Sequence, residues 1–352
     1  MKLSVLDLIG VRKNQTTAQA LRASRAQVEL ADRLGFTRYW VAEHHNTESV
    51  ASTSPAVELM YLGENTTQIR LGSGGVMLPN HSPLAVAEQF ALLAARFGDR
   101  IDLGIGRAPG TDPLTSAAIR GQLSGGQYVD GNGRPIDPVS EFPQHVREIE
   151  ALLNPDGAVV ELPVGRTFAL RAAPDIEYPP QIWLLGSSDY SAELAAELGL
   201  PYVFAHHFFG KGTERALEIY RSGFQGDGDP RTFVSVNVSV AESSDEAWAL
   251  AEPHMLAMAK LRSGGALERA AFVGADVRAE LTDDVRARML PMTDTWAVGD
   301  PDEVGAKLRA TADQFGVDEI MVHPVQGARE TDPQDSWPAR IRGLELLAEA
   351  LL

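Results

Sequence analysis

Short apolar runs of β character recur along this chain, and most of them stop at a polar or glycine-rich residue. Leu3 to Leu6 meets Asp7, Tyr39-Trp40-Val41-Ala42 meets Glu43-His44-His45-Asn46, Ile69 to Ser73 meets Gly74-Gly75, and Ile101 to Ile105 meets Gly106-Arg107. Ile182 to Leu185 runs into Gly186-Ser187-Ser188, Tyr202 to Ala205 into His206-His207, and Ile320 to Val322 into His323. Reactive groups gathered at one end of many strands are the habit of a (β/α) barrel, whose active sites lie at the strands' carboxyl ends.

Helical periodicity separates the strands. Thr17 to Leu34 places Leu21, Val28, Ala31 and Leu34 near the helical repeat, and Gly35 stops it. Residues 55–64, 83–97, 189–198, 211–222, 243–262, 301–315 and 336–351 read as further helices. The strands are expected at 3–8, 38–42, 69–76, 101–105, 181–185, 202–205, 232–240 and 318–322, which is eight, the number that closes such a barrel. The expected fold is therefore an α/β, TIM-type (β/α)8 barrel forming one domain over 1–352. Long insertions break the rhythm after strand 4, at about 107–180, and near strand 7, at about 263–296. The first holds Gly125-Gly126 and Asp130-Gly131-Asn132-Gly133 around a helix at 139–153 and a hairpin at 158–170. The second opens with Ser263-Gly264-Gly265, a hinge for a candidate lid.

Several function classes are disfavoured. A formal charge of −17 repels phosphate backbones, so no nucleic-acid partner is expected. No apolar run approaches the ~18 to 20 residues of a membrane helix. The start, Met1 to Asp7, is too soon acidic for a secretory signal, and zero cysteines exclude disulfides and thiolate chemistry, so a cytoplasmic protein is expected. G-x-G-x-x-G, the P-loop, G-x-S-x-G and H-E-x-x-H are all missing. Adjacent histidines on an extended segment point apart, so no metal site is expected.

The residues at the strand ends supply better candidates. Gly186-Ser187-Ser188 opens a helix through Tyr190-Ser191, whose free amides would face an anion; alternatively Ser188 or Asp189 simply caps it. Arg107, at the end of the neighbouring strand, suits bidentate phosphate contact or else a surface ion pair. Gly74-Gly75 admits close backbone approach to a flat ligand, or makes a bulge. His44 has an imidazole fit for acid–base work, with Glu43 and His45 as positioning groups at the substrate pocket. His206 and His207 either line that pocket or pack as hydrogen-bonded core histidines.

Four segments carry a family resemblance in register: Trp40 to His45, Leu71 to Pro79, Phe97 to Arg107 and Val298 to Val304. Together they resemble the bacterial luciferase-like flavin-dependent monooxygenases over nearly the whole chain. The resemblance implies a TIM-type barrel holding FMN across the strands' carboxyl ends. It assigns catalysis to His44, the flavin phosphate to Arg107, Ser187, Ser188 and Ser191 with Gly186 and Tyr190 alongside, and the ring to Ala42, Gly74 and Gly75. It also implies a non-prolyl cis peptide at Gly74-Gly75. Luciferase carries a reactive cysteine where this chain has Gly106, and its phosphate loop is more acidic, so luminescence has no support.

The activity implied by the resemblance is that of a monooxygenase, using reduced FMN and O2, through a flavin hydroperoxide, to oxidise a small organic substrate. Without a dinucleotide fingerprint, reduced flavin is expected from a separate NAD(P)H-dependent flavin reductase, and the family's habit is a homodimer packed through early barrel helices. One alternative keeps the barrel but transfers hydride with a deazaflavin. Another is a non-catalytic flavin-binding accessory protein, which would be expected to lose the strand-end histidine that this chain keeps.

Overall fold

A computed structural model describes residues 1–123, 137–161 and 165–352. The Gly125-Gly126 and Asp130-Gly131-Asn132-Gly133 clusters and the tip of the expected hairpin lie outside them. Among the described residues, eight parallel staves close a ring. They are β1 (Lys2–Asp7), β2 (Arg38–Val41), β3 (Arg70–Ser73), β4 (Ile101–Gly106), β5 (Gln181–Gly186), β6 (Tyr202–Phe204), β7 (Thr232–Val240) and β8 (Glu319–Pro324). Registers such as Ser4 with Arg38, Asp102 with Gln181 and Tyr202 with Thr232 run round it, and Leu3 with Ile320 closes it.

The two-residue period of a strand sorts the side chains between the barrel interior and the helical layer. Along β7, Val234, Val236, Val238 and Val240 join the main core, while Phe233 packs inside with Trp40, Trp183 and Met321. The helices Thr17–Leu34, Pro83–Phe97, Asp189–Leu198 and Pro301–Phe315 have the expected bounds. Thr16 and Asp300 start two of them with reciprocal capping boxes.

Four features differ from or refine the sequence expectation. The third strand, expected over 69–76, is two pieces, Arg70–Ser73 and Val76–Met77, interrupted at Gly74-Gly75, whose peptide bond is cis. A strand at Ala297–Gly299 extends the sheet by pairing with the carboxyl end of β7; three residues are too few to carry a period. The 107–180 stretch contains the helix Phe142–Leu153, which sinks Val146, Ile149 and Leu152 into the main core, and an antiparallel hairpin of Ala158–Glu161 with Thr167–Leu170. In the 263–296 stretch two helices, Ala275–Glu280 and Asp283–Thr293, lay Val277, Leu281, Met289 and Met292 against Met255 and Leu256 of helix Ser244–Arg262. Glu252 binds Arg278 at 3.0 Å and Arg286 at 2.8 Å across that contact. Bridges of Ala270 with Arg12 and of Phe272 with Ala328 tie the same stretch to the loops after β1 and β8. No helix among the described residues is long and apolar enough to cross a membrane.

The amino end of the barrel is plugged by charge. Arg38 of β2 reaches Asp102 of β4 at 2.8 Å and Glu319 of β8 at 2.7 Å, and its guanidinium lies 4.7 Å from the Trp183 ring. Asp102, fully buried, also accepts from Arg70 at 2.7 Å and from the Trp40 indole at 3.1 Å. Removing one member of a buried network leaves the others charged and unpaired, which costs about 3–5 kcal/mol. Asp102→Ala is therefore expected to lower the unfolding free energy by about that amount, measured by urea titration at pH 7.

Candidate active site

At the carboxyl ends, the first cluster is built around an unspent cation. Gly106 pairs with Leu185, so Arg107 stands beside Gly186, and its guanidinium lies 4.3 Å from the ring of Tyr190. Among the described residues no carboxylate pairs with it. Tyr190 is in the first turn of helix Asp189–Leu198, whose N-cap residue, Ser188, is extended but makes no side-chain cap bond. The Ser191 hydroxyl instead donates to the Ser188 carbonyl at 2.7 Å and meets the Tyr202 hydroxyl at 3.0 Å. The first-turn amides are thus left without a side-chain acceptor, at the positive end of the helix dipole. Asp189, which would oppose an anion, is engaged by Arg215 at 2.9 Å. Ser187 and Ser188 are exposed, and a Cβ on Gly186 would collide with Ser191.

Next to this cluster the barrel wall is bare backbone. A Cβ at Gly74 would come within 2.8 Å of Leu6, one at Gly75 within 2.8 Å of the Gly104 carbonyl, and one at Gly104 would collide with the Ser73 carbonyl. Ala42, buried beyond β2, continues this small-residue surface.

Glu43 is buried and receives three hydrogen bonds: His45 Nε2 at 2.7 Å, His81 Nε2 at 2.6 Å and the Met77 amide at 3.0 Å. Burial alone would push its carboxyl up, but the bonds from His45 and His81 and the Met77 amide outweigh it and bring it to about 2. Glu43, His45 and His81 are close enough to raise the question of a metal ion. The short nitrogen–oxygen distances are those of N–H···O bonds, whereas two ligands of one tetrahedral zinc stand about 3.3 Å apart. The trio is a hydrogen-bonded carboxylate. His44, one residue on, has its amide held by the Ser52 carbonyl at 2.8 Å. Its Nδ1 is buried with no partner among the described residues, and burial lowers its pKa.

Across the barrel the lining is imidazole. His207 lies 6.0 Å from His323, and His254 lies 5.5 Å from His323 and 5.3 Å from Trp296. Asn237 donates to the His207 carbonyl at 3.0 Å, so its Oδ1 accepts from His323 Nδ1 at 2.8 Å; Ser235 holds His207 Nδ1. His206 lies apart from this group, with Nδ1 on Thr213 at 2.7 Å and its ring on Phe315, because Ala205 ends the strand and a short helix turns the two neighbours to different sides. Sequence reasoning had no account of His81 or His254, each a lone histidine with no local pattern. Ser235 and Asn237 did leave a signal, polar residues alternating with valines in a strand otherwise buried.

Comparison with known proteins places the chain in a family. The family model for luciferase-like monooxygenase matches residues 1–319. A luciferase-like monooxygenase of Escherichia coli (strain K12) is 39% identical over 264 residues, 74% of this chain and 73% of its own length. The crystal structure of apo-MsnO8 superimposes with a TM-score of 0.80 at 33% identity, over 99% of this chain and 98% of that one. The oxygenating constituent of 3,6-diketocamphane monooxygenase from Pseudomonas putida, in complex with FMN, shares the fold at 18% identity and a TM-score of 0.72, over 100% of this chain and 97% of that one.

The histidines also set the acid sensitivity. Burial lowers five of the eight: His44 and His323 fall below the ordinary value, His206 falls to about 4, and His207 and His254 fall to about 3. Unfolded, each takes a proton near 6.5 that the fold refuses, so this stability is full above that pH and lost below it. Glu58, raised to about 7 by burial, slopes the other way, and Glu43 matters only between 4.5 and about 2. Stability is expected to fall from pH 6.5 to 5. The His207→Gln/His254→Gln pair should remove up to about 1.4 kcal/mol per pH unit for each histidine, read from urea titrations across that range; an unchanged slope contradicts it.

Proposed function

Since the chain belongs to the luciferase-like monooxygenase family and is an oxidoreductase, we propose that it is an FMN-dependent monooxygenase that oxidises a small organic substrate with O2. The observation that carries this reading is Arg107, a cation without a carboxylate partner among the described residues of a chain of net charge −17, beside a helix start whose amides have no side-chain cap. Such a pair suits a terminal phosphate. Ser187, Ser188 and Ser191 would add hydroxyl contacts, Gly186 the room, and Tyr190 the surface on which the guanidinium rests.

The flavin ring would lie against Ala42, Gly74 and Gly75, where side chains are small or missing. Bound reduced FMN would supply the two electrons with which oxygen is activated. His44 is the group that would hold or move a proton, since its buried Nδ1 has a hydrogen bond still to make. Glu43 fixes His45 and His81 beside it, and a flavin seated on the bare-backbone wall would displace water from it.

Reduced flavin would come from a separate NAD(P)H-dependent reductase, because no dinucleotide fingerprint occurs in the chain. A homodimer through the early helices fits the exposed Val57, Met60 and Tyr61 of helix Pro55–Leu62 and Leu92 of helix Pro83–Phe97.

The test is anaerobic titration with reduced FMN and, separately, with a reduced deazaflavin, followed by rapid mixing with oxygen. FMN is expected to bind and to be reoxidised on the protein; preference for the deazaflavin would favour hydride transfer, and binding of neither would end both readings. Arg107→Ala is expected to weaken FMN binding about 10- to 100-fold. His44→Ala is expected to leave that affinity within about threefold while changing the oxidation rate of bound flavin about 100-fold, and an unchanged rate removes His44 from the chemistry.

A further inference from the structure

His207, His254 and His323 come from three elements, the short helix after β6, the helix Ser244–Arg262 and β8, and meet ring to ring. On their outer sides two are pinned: His207 Nδ1 by Ser235, and His323 Nδ1 by the Asn237 oxygen. The His323 proton therefore sits on Nδ1, and its Nε2 is left as a bare acceptor. His207 Nε2 and both nitrogens of His254 make no hydrogen bond within the described fold. His207 and His254 are half-buried, and His323 is buried behind them. Trp296 closes one side of the group, and the exposed Phe208, 4.2 Å from His207 between ring centres, another.

We propose that this imidazole wall is the specificity determinant of the active site, and that it selects an uncharged substrate carrying a hydroxyl group on an aromatic or similarly flat frame. The hydroxyl donates to His323 Nε2, while His207 and His254 offer it a second bond and Trp296 and Phe208 flank the frame. A carboxylate or phosphate is a poor guest. To hold one, the rings would have to be charged, and imidazoles 5.5–6.0 Å apart repel one another when charged, with Arg340 adding to the repulsion. A pocket that spends its polar groups on one hydroxyl rejects analogues lacking it far more strongly than it discriminates by size. This assignment rests on the monooxygenase reading only in calling the guest a substrate.

The probes are 2-naphthol, 2-naphthoate and naphthalene, titrated by calorimetry into the full-length protein at pH 7.5, with and without oxidised FMN. 2-Naphthol is expected to bind about tenfold or more tighter than the other two. His323→Leu should reduce that preference to below about threefold with FMN affinity retained, whereas His323→Gln, which keeps an acceptor, should restore it. His254→Leu, on a helix at the rim, gives a second reading if His323→Leu fails to fold. Equal or tighter binding of 2-naphthoate, or a preference unaffected by the leucine variants, overturns the proposal. Naphthol selectivity without FMN binding would sink the flavin reading and leave this one standing.

Discussion

The guanidinium of Arg38, shared between Asp102 and Glu319, decides which way the barrel's side chains face. Buried ion pairs add little net stability over a well-packed apolar core, so their value here lies in register. A strand that slips by one residue exchanges its two faces. With Arg38 turned inward, Trp40 and Ala42 follow at the two-residue period. Asp102 brings Gly104 and Gly106 inward in the same way, and Glu319 brings Met321 and His323. The floor of the barrel thus selects the residues that reach its rim. Arg70 and Ser4, also hydrogen-bonded to these carboxylates, extend the constraint to β3 and β1.

The rim divides into two chemically different halves. From β2 to β5 it is backbone and small residues, bounded by Arg107 and the uncapped helix start. From β6 to β8 it is imidazole and amide, with the His323 tautomer set by Asn237 and His207 oriented by Ser235. His44 stands between them, with Glu43 bound below by two further histidines. One half can take a large flat anion by shape and charge; the other can read small polar features.

Much of this was legible in the chain. Eight strands and the principal helices followed from alternation and period, since the elements had apolar stripes of their own and, in the first helix, a stop at Gly35. Arg107, Gly74-Gly75 and His44 stood out because they interrupt apolar runs. What was missed lacks local periodicity: Ala297–Gly299 is too short, and His81 and His254 become neighbours of the site only through tertiary packing. His206 and His207 were indistinguishable in sequence. The short helix after β6 separates them, and no residue pattern announces which neighbour turns inward.

The stretch covering β7 and β8 is fastened at both ends. Ala270 and Phe272 bridge to the loops after β1 and β8, and Ala297–Gly299 is woven into the sheet beside β7. Between those ties its two helices are clamped by Glu252. An element anchored this way behaves as a beam, free to flex in the middle but unable to swing clear without breaking several backbone hydrogen bonds together. For a guest bound beneath it, as proposed, that stiffness would be part of the selectivity, because the guest would have to match a span that bends only a little.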